Sequence, residues 1–184
     1  MRLHTKMVAT SIAAAALMAG NITATAAVAG NTVLTGDSVV ANPTLTDFLQ
    51  NKAKVKTNTG VGCVTDGSIA NEIAIASGGA HVDQYQCAGA SFATGGIHIE
   101  DTLRTAAQRG DLNPQTKNVV IVAGANDTYP YGSDVAASER AIRSGLRNAI
   151  SVAHHHSPNA KVIVVGYPHA VSYTHLRAHE TRHD

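Results

Sequence analysis

Residues 32–43 read TVLTGDSVVANP, in which four residues with β-strand preference run into Gly36-Asp37-Ser38. The first four predict a short buried strand over 32–35. In an open parallel sheet, the functional site lies outside the carboxyl ends of the strands. Ser38 would lie at such an end, which makes it a candidate nucleophile. The rest of the sequence must then supply a sheet around it and the groups that act with it.

Strands and helices alternate along the rest of the chain. NVVIVA at 118–123 and KVIVV at 161–165 are continuous apolar runs, typical of strands covered on both faces. A weaker strand is predicted over 82–86, and a loop or minor hairpin over 54–62. Periodicity and end signals predict helices over 44–53, 68–77, 97–109 and from 133 to about 155. This order predicts one α/β domain, a three-layer α/β/α fold with a parallel sheet.

The two ends of the chain are expected to lie outside this domain. Residues 1–29 have a basic start, an alanine-rich apolar run and an A-x-A site, which predict a secretory signal peptide and a secreted, extracellular protein. Residues 171–181 resemble the translation of a transposase sequencing adaptor, so 171–184 is interpreted as a non-native tail. The alternative is a histidine-rich, metal-binding tail. The natural domain is therefore expected to span 30–170 and to be truncated at its carboxyl end.

The composition and net charge limit which classes of partner are expected. Without residues 1–29 the chain has 12 basic and 13 acidic residues, a net charge of −1, because that segment holds two of the 14 basic residues and none of the 13 acidic ones. This balance argues against nucleic acid or an anionic membrane as partner, and no run in the mature chain is long enough for a membrane span. The two cysteines, Cys63 and Cys87, are expected to pair after export, with two free buried thiols as the alternative.

The chemistry-bearing residues follow successive predicted strands. After the first strand come Gly36-Asp37-Ser38, and after the second Cys87-Ala88-Gly89-Ala90-Ser91. After the third come Gly124-Ala125-Asn126-Asp127, and after the fourth Gly166-Tyr167-Pro168-His169. A hydroxyl, a close backbone N–H and a side-chain amide are the set that ester hydrolysis requires. Each of these features alone is a weak signal. Their order after successive strands is what indicates an ester-hydrolysing site.

These blocks resemble the SGNH hydrolases, the GDSL-type esterases and lipases, over about residues 32–168. Thr35-Gly36-Asp37-Ser38 is similar to the block that carries the nucleophile, and Cys87 to Ser91 to the block with the oxyanion glycine. Gly124-Ala125-Asn126-Asp127 matches the G-x-N-D block. The resemblance implies a flavodoxin-like fold, no cofactor, and a small-molecule, lipid or carbohydrate ester as substrate. It implies catalytic roles for Ser38, Gly89 and Asn126, and it supports the pairing of Cys63 with Cys87.

One block of the family has no counterpart. The family's D-x-x-H, which carries the triad Asp and the base His, does not follow the fourth strand before residue 171. Ser38 is therefore expected to be a nucleophile whose base is missing, and the chain to have very low activity. His169 is the one serious alternative base. Asp127 is interpreted as a turn cap, and Asp37 as a support for the Ser38 loop.

Two other functions compete with a secreted serine ester hydrolase. A non-catalytic carbohydrate- or lipid-binding module could use the same scaffold, and the presence or absence of D-x-x-H in the intact gene would discriminate between the two. A nucleotide-binding site is weakly supported, because Gly60-x-Gly62 lacks the third glycine of G-x-G-x-x-G and no P-loop lysine is present.

Overall fold

Among the residues that the structure describes, four parallel strands form one sheet, and their order across it is second, first, third, fourth. The computed structural model describes residues 30–53 and 57–167, so the predicted signal peptide, His169 and the predicted tail lie outside the described residues. The strands are β1 (Thr32–Gly36), β2 (Val82–Gln84), β3 (Asn118–Val122) and β4 (Lys161–Val164). The helices are α1 (Ser38–Ala41), α2 (Leu45–Lys52), α3 (Ser68–Ala76), α4 (Ile99–Gln108) and α5 (Val135–His156). The predicted α/β fold with a parallel sheet is confirmed.

Side chains alternate between two apolar cores, one on each face of the sheet. Val33 and Ile121 point into the core formed with α4 and α5, and both are fully buried. Leu34 and Val122 point into the smaller core on the side of α3. This alternation follows from the two-residue period of a strand. It places helices on both faces of β3, as its continuous apolar run predicts. The same prediction for the run at β4 is wrong, because β4 lies at the edge of the described sheet and its Lys161 and Val164 are exposed.

Helix ends follow their local chemistry. The Asp134 carboxylate accepts a hydrogen bond from the Ala137 N–H at 2.9 Å and caps α5, which ends at His156. Thr44 Oγ1 accepts from the Asp47 N–H at 3.1 Å and starts α2. Gly110, with φ of 84°, follows α4, where a left-handed residue ends the helix. The predicted boundaries thus differ from the observed ones by one or two residues, which is the usual uncertainty at frayed ends.

Two parts of the sequence interpretation are corrected. Ser38 lies in a helix and not in the loop that the sequence interpretation gives it: it begins the four-residue helix α1, because Asp37 caps it. The second strand ends at Gln84 rather than at residue 86, although the Tyr85 N–H still donates to the Leu34 carbonyl at 2.8 Å.

Gly145 permits a close contact between α5 and the loop that follows β2. A Cβ at this position would lie 2.3 Å from the Phe92 carbonyl oxygen. Alanine is favoured over glycine in a helix by about 1 kcal/mol, but overpacking against backbone costs about 1–3 kcal/mol. We therefore expect Gly145→Ala to lower the free energy of unfolding in urea titrations. Ser144→Ala on the exposed side of α5 is the control, expected within about 0.5 kcal/mol of the parent; equal stability of both variants would contradict this packing.

Candidate active site

Three loops leave the same edge of the sheet at its centre. β1 lies between β2 and β3, and all three strands run parallel. The pairing continues into the loops, because the Cys87 N–H donates to the Gly36 carbonyl at 2.9 Å and the Asp37 N–H donates to the Val122 carbonyl at 3.0 Å. The loops that carry Ser38, Gly89 and Asn126 are therefore neighbours, with the Ser38 loop in the middle.

Ser38 is held by the residue before it. The Asp37 side chain is 1% exposed, and its carboxylate accepts from the Val39 N–H at 2.9 Å. This bond fixes the start of α1 and leaves Ser38 exposed at the mouth of β1. Asp37 thus supports the Ser38 loop by hydrogen bonding, in agreement with the sequence interpretation.

Gly89 and Asn126 lie in the loops on either side. Gly89 has φ of 88°, a left-handed conformation that side chains disfavour, and it is exposed. The Asn126 side-chain amide donates to the Ala90 carbonyl at 2.8 Å, which ties the β3 loop to the residue after Gly89. A side-chain amide has two N–H hydrogens. Among the described residues, this carbonyl is its one hydrogen-bond acceptor, so the second hydrogen has no acceptor among them.

Ser38 and Gly89 border the same open cleft. Its volume is about 520 Å³, within the range of roughly 300–1,000 Å³ typical of small-molecule sites. The lining residues are Ser38, Asn42, Pro43, Leu45, Phe48, Ala88 and Gly89. A hydroxyl and a glycine backbone therefore border a mostly apolar surface. This arrangement suits a ligand with one reactive polar group and an apolar part.

Asp127 has a different role from the turn cap expected from the sequence. Its side chain is fully buried, and its two carboxylate oxygens accept from the Phe92 and Ala93 N–H groups, each at 2.8 Å. The carboxylate therefore binds a loop more than 30 residues away in sequence. Local spacing could not reveal this contact, because nothing near Asp127 in sequence encodes its partner. Asp127 and Asn126 together attach the β3 loop to the Gly89 loop.

Asp127→Asn should destabilise the protein by about 1–3 kcal/mol. The amide nitrogen cannot accept, so one buried backbone N–H loses its partner. Asp134→Asn is the matched control, because asparagine caps a helix as well as aspartate does. Urea unfolding followed by circular dichroism measures both variants. A loss of stability in Asp134→Asn as large as that in Asp127→Asn would contradict the assignment.

Tyr167 joins the end of β4 to the same site, a role that the sequence did not indicate. Its hydroxyl donates to the Asp37 carboxylate and accepts from the Ala125 N–H at 3.4 Å. Burial, with the hydrogen bond to Asp37, raises the pKa of Tyr167 well above its usual range. The phenol thus stays protonated and keeps donating. One side chain therefore connects the residue before Ser38 to the residue before Asn126.

The predicted pairing of Cys63 with Cys87 is present in the structure as a disulfide with a Cα–Cα distance of 5.3 Å. Both side chains are 5% exposed and belong to the larger core. Cys87 precedes Gly89 by two residues, so the disulfide anchors the start of the Gly89 loop. Closing a loop of this length stabilises a protein by about 3 kcal/mol in the chain-entropy model.

No base is hydrogen-bonded to the Ser38 hydroxyl within residues 30–53 and 57–167. His81 lies before β2, at the opposite end of the sheet, and its ring bonds to Asp83 at 2.9 Å. His154, His155 and His156 end α5 in its last turn.

In the part of the chain that the structure describes, no helix has the length and hydrophobicity to cross a membrane.

The chain matches no protein-family model and no curated protein by sequence. It is similar in structure to an extracellular lipase from Streptomyces rimosus, with a TM-score of 0.51 and 18% identity over 78% of this chain. A second solved structure has a TM-score of 0.47 and 16% identity, covering 76% of this chain and 57% of that one. The match spans 62% of the length of the lipase. At 18% identity the likeness to the lipase shows a shared α/β fold.

Proposed function

We propose that this chain carries the nucleophile and the oxyanion donors of a secreted serine ester hydrolase of the SGNH type. The observation that carries the proposal is the joining of three loops. Ser38 and Gly89 border one cleft, and the Asn126 amide bonds to the carbonyl of Ala90 at 2.8 Å. The fold shared with an extracellular lipase supports the hydrolase scaffold. The disulfide supports secretion, because such bonds persist in oxidising compartments.

The proposed reaction begins with attack of Ser38 Oγ on the ester carbonyl. The hydroxyl proton passes to a base, and the carbonyl oxygen becomes an oxyanion. The proposal assigns three donors to that oxygen: the Ser38 N–H, the Gly89 N–H and the second hydrogen of the Asn126 amide. The alcohol then leaves with a proton, and water hydrolyses the acyl group from Ser38. Donors that are fixed before the reaction stabilise the developing charge without reorganisation.

The proposed base lies outside the described residues. By resemblance to the family it comes from an Asp-x-x-His segment, which the sequence lacks before residue 171. Without a positioned base the Ser38 hydroxyl is a weak nucleophile. The chain by itself is therefore proposed to have very low activity.

A boronic acid tests the oxyanion arrangement without turnover, since boron forms a tetrahedral adduct with a serine oxygen. In a crystal grown with butylboronic acid, boron should be bonded to Ser38 Oγ. One boronate oxygen should lie about 2.7–3.1 Å from the Gly89 nitrogen and the Asn126 amide nitrogen. Ser38→Ala crystals are the control and should hold no boronate there. A boronate attached to Ser38 with all its oxygens away from Asn126 would refute the oxyanion role of that residue.

A further inference from the structure

Tyr167 reaches the candidate site from the strand next to β3. It follows the end of β4 by three residues, and the Val165 N–H still donates to the Ile121 carbonyl at 2.9 Å, so the chain runs alongside β3 up to the site. The Tyr167 ring packs against the smaller core, and a Cβ on Gly124 would lie 4.0 Å from it. This packing fixes the ring and places its hydroxyl between the loops that follow β1 and β3.

The Tyr167 hydroxyl holds one of the two oxygens of the Asp37 carboxylate. Oδ2 accepts from this hydroxyl, and Oδ1 accepts from the Val39 N–H at 2.9 Å, the bond that caps α1. Asp37 is 1% exposed, so the phenol supplies a donor that bulk water does not. A buried polar group that loses its partner is costly. The phenol therefore fixes the orientation of the carboxylate that sets the start of α1, where Ser38 is the first residue.

The same hydroxyl oxygen also holds the β3 loop. It accepts from the Ala125 N–H at 3.4 Å, and Ala125 begins the short 3-10 turn that ends at Asp127. A phenolic hydroxyl both donates and accepts, so one atom serves the two loops at once. Asn126 lies inside that turn, and its amide donates to the Ala90 carbonyl at 2.8 Å. A shift at the phenol would therefore move Asn126 relative to the start of α1.

We infer that Tyr167 is a positioning residue for ester hydrolysis: through Asp37 and Ala125, its hydroxyl sets the spacing between Ser38 and the Asn126 amide. This inference rests on the proposed function, because the spacing affects the reaction only if both groups act on one oxyanion. Fixed donors stabilise the charge that develops on that oxygen, and a misplacement of about 1 Å can cost about 10²-fold in rate. Loss of the phenol hydroxyl should therefore weaken the binding of a tetrahedral adduct.

Tyr167→Phe removes the hydroxyl and keeps the ring, and Tyr85→Phe is its matched control. The Tyr85 hydroxyl donates to the Asp111 carboxylate at 2.5 Å. Burial and that hydrogen bond raise the pKa of Tyr85 well above its usual range, as the corresponding causes do for Tyr167. Asp111 lies at the opposite edge of the sheet, where its carbonyl accepts from the Asn31 amide just before β1. Both variants should lose similar stability in urea titrations, since each leaves a carboxylate oxygen without its phenol donor.

Two measurements separate a positioning role from a loss of stability. In titrations of the purified chain with butylboronic acid, Tyr167→Phe should weaken binding about tenfold or more, whereas Tyr85→Phe should leave it unchanged. In hydrogen exchange followed by NMR, the Val39 and Ala125 amides should exchange about tenfold faster in Tyr167→Phe than in Tyr85→Phe, because local opening raises the exchange rate.

The outcomes distinguish this inference from the proposed function. If the parent chain binds boronate at Ser38 and Tyr167→Phe binds it as tightly, or loses no more affinity than Tyr85→Phe, the positioning role is overturned and the nucleophile stands. Unchanged protection of the Val39 and Ala125 amides in Tyr167→Phe would overturn it as well. A parent chain that forms no boronate adduct at Ser38 would refute the proposed function, and the positioning role with it.

Discussion

Under the proposed truncation, replacing residues 171–184 with a segment that carries the family's Asp-x-x-His block should raise the hydrolysis of p-nitrophenyl butyrate by about three orders of magnitude or more. The physical reason is the proton of Ser38, which requires a positioned base before the oxygen can attack. Removing triad members in serine hydrolases leaves about 10³–10⁴-fold catalysis over water, because the oxyanion donors and substrate binding still act. We therefore expect a low rate of hydrolysis from the shorter chain and a much higher rate from the extended chain.

The control for this extension is the same extended chain with the histidine of its Asp-x-x-His block replaced by alanine. This control chain should be more soluble than the shorter chain but no more active. In the sheet of the described residues β4 lies at an edge, and Val164 and the following Val165 are 44% and 43% exposed. An apolar open edge promotes aggregation. If the shorter chain is as active as the extended one, the shorter chain itself contains a base, and His169→Ala would then be the variant to examine.

Asn126→Ala in the extended enzyme should lower kcat by about 10²–10³, with a much smaller change in KM. Loss of one oxyanion donor has an effect of this size, because the donor acts on charge that develops in the transition state. Steady-state kinetics on p-nitrophenyl butyrate separate the two constants. Circular dichroism should show an intact fold, since Asn126 is not part of either core.

Asn118→Ala is the matched control for this variant. Asn118 begins the same strand, at the opposite end of the sheet, and its amide donates to Thr32 Oγ1 at 3.2 Å. The Asn118→Ala substitution removes an identical amide far from the site, so kcat should stay near the parent value. Equal losses of kcat in the two variants would indicate that Asn126 acts through stability rather than through the oxyanion.

The strands and their order along the chain were predictable, because buried parallel strands leave continuous apolar runs such as 118–123. The positions of Ser38, Gly89 and Asn126 after strands were predictable for the same reason. The sheet order, with β1 at the centre, is what makes those three loops neighbours.

The contacts that hold the site together were not predictable from local pattern. Tyr167 bonds to Asp37 across 130 residues, and Asp127 binds the backbone of Phe92 across 35. Periodicity and spacing describe neighbours within an element, whereas these partners meet only after the sheet has formed. Asp127 in particular has the local signature of a turn residue. Its burial decides its role, and burial is a property of the folded chain.

The position of α2 outside both cores could also not be derived from its sequence. Leu45, Phe48 and Leu49 give a helical apolar pattern, which is typical of a core-facing helix. In the structure these residues lie outside both cores, and two of them line the cleft beside Ser38. A pattern of apolar residues indicates a surface that is covered, without indicating whether protein or ligand covers it.

The central claim is that Ser38 is the nucleophile of an ester-hydrolysing site. The most direct measurement is the rate of p-nitrophenyl butyrate hydrolysis by the extended chain beside its Ser38→Ala variant, under identical conditions. The claim predicts that Ser38→Ala falls to within about 10³–10⁴-fold of the uncatalysed rate, while the parent turns over far faster. A Ser38→Ala variant that keeps the parent rate would contradict it.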